Sequence, residues 1–243
     1  MRKRADLRAA IIKAKVPGRS VRWRWPTDGP ALFEDRRQAG ERLAAALHGT
    51  VGPDAVVLGI PRGGVIVAEA VADALGLPLD VVVPRKIGAP GNPELGLGAI
   101  APGVRVLDLD IIERLHVGED YLEDEIEAEE QEIARREQVY RAGRPPVDLG
   151  GRTAVVVDDG VATGGTAIAA LRWARDRGAS RVILAAPVAP PGGLPRLAKE
   201  ADEVVVCETP EPFVAVGVWY RRFEQTPDVE VVEALSRSAG RTA

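Results

Sequence analysis

The sequence predicts an α/β fold: a parallel β-sheet with helices on both faces. Three observations carry that prediction. Short apolar runs recur at residues 55–60, 79–83, 154–157, 181–185 and 203–207, and segments of helical periodicity separate them. The runs are apolar at successive positions, as strands buried on both faces are. The length of 243 residues suits one large α/β domain with trimmings.

Taken in order, the chain opens on a basic stretch. Residues 1–25 carry Arg2, Lys3, Arg4, Arg8, Lys13, Lys15, Arg19, Arg22 and Arg24 against a single acid, Asp6, and the breaker-rich segment 26–30 follows. This reads as an extension, residues 1–30, outside a main domain of 31–236, with 237–243 as a tail. Two readings of the extension stand: a contact for acidic partners, or a tail (which includes a start codon set too early). Trp23 and Trp25 predict that part of it docks.

Residues 33–48 read as a helix with Ala39, Leu43 and Leu47 on one stripe. The first apolar run, a glycine turn and a helix over 65–75 come next, and then the second run. The Pro- and Gly-rich stretch 84–98 reads as a flexible loop, and 104–107 as a short strand. Residues 119–141 form a long, highly charged helix ending before Gly143 and Pro145. Its charges read as a solvated face or, alternatively, as an oligomer contact such as a homodimer. Beyond it lie the strand at 154–157, a helix over 167–177, and two more strands. No internal repeat of fixed period appears.

Composition excludes several functions. Hydrophobic residues at 46% and charged residues at 28% are ordinary for a globular protein, and the net charge of -4 gives no basic field for nucleic acid. Cys207 is the only cysteine, which removes internal disulfides and cysteine-based metal clusters. His48 and His116 are too few for an ordinary zinc site. No apolar run approaches the ~20 residues of a membrane span. Residues 1–25 lack the apolar centre of a signal peptide. The expectation is a cytoplasmic protein.

The most informative segment is residues 155–166, Val-Val-Val-Asp-Asp-Gly-Val-Ala-Thr-Gly-Gly-Thr. A buried strand delivers Asp158 and Asp159 to its C-terminal end, where ligands bind in open parallel sheets. The glycines let backbone approach a ligand, and Thr163 and Thr166 add hydroxyls. The loop opens into a helix, whose free N–H groups and dipole favour an anion. These parts suit a phosphate monoester attached to a sugar diol. A P-loop needs Lys where Gly165 stands. A dinucleotide fingerprint places its acid after the glycines, whereas here the acids come first.

This segment resembles the ribose-phosphate motif of type I phosphoribosyltransferases: apolar strand, two acids, three residues, then Thr-Gly-x-Thr. The resemblance covers roughly residues 33–235. It implies the family's parallel sheet in strand order 3-2-1-4-5, a lid loop and a small C-terminal hood. It further implies that Asp158 and Asp159 hold ribose hydroxyls. Ala162, Thr163, Gly164, Gly165 and Thr166 would wrap the 5′-phosphate of phosphoribosyl pyrophosphate (PRPP).

Gly59-Ile60-Pro61-Arg62-Gly63-Gly64 is similar to the family's pyrophosphate loop, with Arg62, Gly63 and Gly64 as contacts; a plain strand-to-helix turn is the alternative. The family's order makes its strand a neighbour of the one ending at Asp158. The stretch 84–98 then corresponds to the mobile loop that closes over pyrophosphate, with Lys86 as the closing cation or else a surface residue. Glu94 is a further candidate contact for metal or substrate.

Residues 212–220 resemble the base-stacking segment of purine-type members, which puts Phe213 against a nucleobase or, alternatively, in the core; Trp219 and Tyr220 read as packing residues. Ala162 departs from the acid of hypoxanthine–guanine types, and 185–193 offers no clear lysine to read an oxo group. The acceptor base therefore stays open.

The implied activity is transfer of the phosphoribosyl group from PRPP to a nitrogenous base with release of pyrophosphate. The partners are PRPP and a nucleobase-like molecule. Mg²⁺ would be held mainly through PRPP, with Asp158 and Asp159 as possible ligands. A non-catalytic sensor of PRPP or a nucleotide is the rival reading.

Overall fold

The computed structural model describes residues 31–240 and, nearer the N-terminus, the strands β1 (Ile12–Val16) and β2 (Arg19–Trp23) as backbone. Trp25 and the side chain of Trp23 lie outside the described residues, as does the side chain of Glu94.

Helix α1 spans Arg36–Leu47, one turn shorter than the periodicity predicts, because Asp35 caps it by accepting from Gln38 N at 2.9 Å. Strand β3 (Val56–Gly59) leads into α2 (Gly63–Leu75), which stops at Gly76 in the left-handed conformation. Strand β4 (Leu79–Val81) follows. Next come β5 (Arg85–Ala89), β6 (Asn92–Ala101), β7 (Val104–Leu107) and the short α3 (Leu109–Arg114). The long α4 (Glu119–Arg141) precedes β8 (Thr153–Val157), α5 (Gly165–Asp176) and β9 (Arg181–Val188). The chain closes with α6 (Leu194–Leu197), β10 (Glu203–Glu208) and α7 (Asp228–Ala239), which runs past the expected boundary at 236.

The main sheet has the order β1-β2-β10-β9-β8-β3-β4, and every pairing except β1 with β2 is parallel. Its strands divide their side chains between two cores. Val57, Val155 and Val205 pack on the side of α1, α2, α4 and α7, while Val56, Val156 and Val204 pack on the side of α5 and α6. That is the period-two alternation of a strand buried on both faces, so the predicted fold class holds.

Three details differ from the sequence expectation. The basic stretch, expected outside the main domain, supplies two strands to the sheet edge, where β2 pairs with the otherwise open side of β10. Residues 104–107 do not take the third place of the order beside β4. They complete a separate antiparallel sheet, β5-β6-β7. The stretch 84–98, expected as a flexible loop, is the hairpin of β5 and β6, joined by Pro90–Gly91 with Gly91 at φ 72°. Two of its glycines serve close packing: a Cβ at Gly98 would lie 2.2 Å from Val106 O, and one at Gly88 2.9 Å from Pro93 Cα.

Helix α4 buries Ile126, Ile133 and Tyr140 along one stripe. Its end is fixed by an ion pair buried against β4, with Arg141 Nε 3.1 Å from Asp80 Oδ1 and Arg141 Nη2 donating to Val81 O at 2.8 Å. Among the described residues no helix is long and apolar enough to cross a membrane.

Candidate functional site

Strands β3 and β8 are neighbours, and their C-terminal ends present the two glycine-bearing loops side by side. Ile60 N donates to Val157 O at 2.8 Å, so the first loop begins against the end of β8. The peptide between Pro61 and Arg62 is cis. Gly63 and Gly64 then start α2 directly over the acid pair. A Cβ at Gly63 would sit 2.0 Å from Asp159 Oδ2, and one at Gly64 would sit 2.9 Å from both Asp158 Cα and Val157 O. Only glycine fits either position without displacing the acids.

The second loop carries Ala162 and Thr163 exposed at its tip and Gly164 at φ 83°. Leu197 of α6 packs where a Cβ of Gly164 would point, 2.9 Å away, so α6 buttresses the turn. Helix α5 begins at Gly165, and its first backbone bond runs from Ile168 N to Gly164 O. No hydrogen bond among the described residues uses the N–H groups of 162–166. A turn of this form can receive an anion.

The two acids have different surroundings. Asp159 Oδ2 accepts from Arg36 Nε at 2.8 Å, and both side chains are largely buried. Tyr220 donates its hydroxyl to Asp159 O at 2.5 Å, while its ring packs at a tilt against Phe33 and Phe223, 5.3 and 4.9 Å between centroids. Asp158 Oδ1 accepts only from Asp159 N among the described residues. Burial pushes the Asp158 carboxyl well above the usual carboxylate range, and the Asp159 charge pushes it further. Burial also raises Asp159, with the Arg36 guanidinium pulling the other way.

Two cavities open from these loops. One, of about 470 Å³, is lined by Gly160 to Thr166 together with Lys86, Asp108 and Arg196. The other, of about 450 Å³, is lined by Arg62, Gly63, Arg85, Arg136 and both acids. Lys86, Asp158 and Thr166 line both.

The structure thus gathers most of the residues that the sequence singles out. Arg62, Gly63, Lys86, Asp158, Asp159 and the 162–166 turn meet at one place, and Gly64 lies beneath them. Phe213 lines neither cavity; it packs 6.3 Å from the Trp219 ring, partly buried against the core. Tyr220 is a packing residue, as expected, but also a hydroxyl donor to the acid pair. The charged face of α4 is only partly solvated, since Glu125, Glu129 and Arg136 line the second cavity. Arg85 Nη2 donates to Glu129 Oε1 at 2.9 Å, and Tyr121 donates to Gly88 O at 3.2 Å, so α4 holds the hairpin.

Sequence reasoning missed Arg36, Arg85, Arg136 and Arg196. Arg85 stands next to Lys86, at the start of the stretch that the sequence singles out, yet no role attaches to it there; the other three come from elements remote from the motif, and no local spacing marks them. Among the described residues no group of three or more His, Cys, Asp and Glu could hold a metal ion.

Against known proteins, the phosphoribosyl transferase domain family matches residues 32–221. A Mycobacterium tuberculosis protein named as a phosphoribosyl transferase is 49% identical over 209 residues, which cover 85% of this chain and 47% of that protein. The chain therefore spans about half the length of the curated relative it matches. The crystal structure of TT1426 from Thermus thermophilus superimposes with a TM-score of 0.72 at 44% identity, covering 84% of this chain and 98% of that one. A uracil phosphoribosyltransferase of Nocardioides sp. is 40% identical over 74 residues, 29% of this chain and 35% of that protein. By the span of the family match and the identity to these relatives, the chain belongs to the phosphoribosyl transferase family.

Proposed function

We propose that the chain transfers the phosphoribosyl group of PRPP to a nitrogenous base and releases pyrophosphate. The observation that carries this reading is the pair of cavities at the ends of β3 and β8, with Lys86, Asp158 and Thr166 common to both. A sugar with a phosphate at each end matches that geometry. Its 5′-phosphate would lie on the 162–166 turn, its hydroxyls on Asp158 and Asp159, and its pyrophosphate at Arg62, Gly63 and Gly64. Lys86 stands where the two halves of such a ligand would meet.

In the transfer, the bond from the anomeric carbon to the pyrophosphate oxygen breaks as a bond from the base nitrogen forms. Positive charge develops on the ribose, so no covalent nucleophile is needed. The chain's contribution is positioning and an electrostatic environment set in advance. Asp158 and Asp159 would orient the sugar beside the developing charge, while Arg62 and Lys86 hold the leaving group.

The donor set also fits Mg²⁺ brought in on the substrate. That ion takes one or two carboxylates plus phosphate oxygens, and the cavities offer an acid pair rather than a protein cage. Asp158, which faces both cavities, is the residue that would hold it. Its chemistry there is neutralisation of pyrophosphate charge.

A second reading, binding without transfer, draws on the anchoring of the hairpin to α4 through Arg85 and Tyr121. A pyrophosphate-release assay with PRPP, Mg²⁺ and a panel of bases separates the two. Release with at least one base is expected. Measurable PRPP binding with no release from any base would overturn transfer in favour of sensing.

A further inference from the structure

Arg36 is a cation in the first turn of α1, where the helix dipole disfavours positive charge, and its side chain is only 13% exposed. Placing a guanidinium there is unfavourable without compensating contacts. Three contacts fix it. Its Nε donates to Asp159 Oδ2 at 2.8 Å, its Nη1 donates to Glu224 O at 2.7 Å, and its guanidinium lies 3.9 Å from the centroid of the Phe223 ring. The last two come from residues 223 and 224, in the C-terminal segment that also delivers the Tyr220 hydroxyl to Asp159 O.

We propose that Arg36 is a positioning residue that aims Asp159 at the sugar and ties that acid to the 220–224 segment. The proposal rests on the reading that Asp158 and Asp159 grip ribose hydroxyls. Arg36 takes one carboxylate oxygen, Oδ2, and fixes the plane of the group, which leaves Oδ1 for a hydroxyl.

Gly63 is part of the same device. A Cβ there would lie 2.4 Å from Arg36 Nε as well as 2.0 Å from Asp159 Oδ2, so the missing side chain makes room for the ion pair. The first loop therefore shapes the acid pair through Arg36 in addition to whatever it offers a ligand. Nothing near Arg36 in sequence marks this role, because its partner is 123 positions away.

The test is a mutant cycle in the full chain, with PRPP and Mg²⁺ as the probe in calorimetry and thermal melts run alongside. R36M should weaken PRPP binding about tenfold, the range of one lost charge-assisted hydrogen bond. The same change in a D159A background should cost less than about twofold, since no side-chain oxygen remains there to accept from Arg36. R36K should regain most of the affinity, because an ammonium can still reach the carboxylate. It should not regain the melting temperature, because the Phe223 stack and the Glu224 bond need a guanidinium.

A purely structural role predicts the reverse: an equal loss in both backgrounds and affinity that follows the melting temperature. Either result would overturn the proposal. If R36M does not fold, R36L in the wild-type and D159A backgrounds carries the same comparison. Failure of the wild-type chain to bind PRPP would sink the functional reading and this proposal together. Wild-type binding with additive losses would sink the proposal alone.

Discussion

At the scale of single residues, the acid pair shows what two adjacent buried carboxylates ask of a fold. Asp158 ends a buried strand beside a second carboxylate, and both burial and that neighbour oppose its ionisation. A carboxyl raised in the folded state holds its proton more tightly there than in the unfolded chain. Stability therefore falls as pH rises above the ordinary carboxylate value of 3.8. Asp158→Asn removes that penalty, so its melting temperature should exceed wild type at pH 7. The gain should shrink on acidification and vanish below about pH 3.8, where both proteins are neutral at this position. A gain of ~1 kcal/mol would be readable, since it moves the midpoint of a domain this size by about 2–4 °C. Differential scanning calorimetry across that range reads it, and an unchanged or lower midpoint at pH 7 would contradict the stated environment. The acids themselves are legible in sequence because strand, acids, glycines and helix start are consecutive. Arg36 is not, since the contact that defines it is made across the fold.

At the scale of elements, the segment 84–101 teaches a different lesson. Glycine abundance reads as flexibility, yet Gly88 and Gly98 stand where neighbouring backbone leaves no space for a side chain. The signal for the hairpin is present in the chain as Pro90–Gly91, the dipeptide of a tight two-residue turn. Helix α4 is similar. Its stripe of Ile126, Ile133 and Tyr140 is readable, but the charges between them distribute among water, the hairpin and the second cavity according to tertiary neighbours alone. What joins α4 to the main sheet is the buried pair of Arg141 and Asp80, with Asp80 also accepting from Val147 N at 2.9 Å. Arg141→Met would strand a buried carboxylate, a change that costs about 3–5 kcal/mol in comparable sites. Urea unfolding should show a loss of that order with the slope unchanged. A loss below ~1 kcal/mol would mean that the pair is not what fixes the helix end.

At the scale of the whole molecule, the parallel sheet places the two glycine-bearing loops at the ends of neighbouring strands. That adjacency is the part of the topology that the resemblance of the 155–166 segment implies, and the sheet order bears it out. The edges are less legible in sequence: neither the N-terminal hairpin beside β10 nor the departure of β7 to its own sheet leaves a local mark. One consequence belongs to this scale alone. If a single ligand bridges the two cavities through Lys86, Asp158 and Thr166, its halves should bind separately but weakly. Ribose 5-phosphate would fill the cavity over 160–166, and pyrophosphate the one at Arg62 and Gly63. Joining them makes the second contact intramolecular, and effective concentration then raises affinity by about 10²–10⁴ over either half. A ligand that binds only the folded state stabilises it by RT ln(1 + [L]/Kd), so at equal concentration the tighter binder raises the melting temperature more. In thermal melts at equal concentrations with Mg²⁺, PRPP should therefore stabilise the protein more than the equimolar mixture of ribose 5-phosphate and pyrophosphate. Equal shifts for PRPP and ribose 5-phosphate would show that the second cavity does not receive the pyrophosphate, and the bridging geometry would fail.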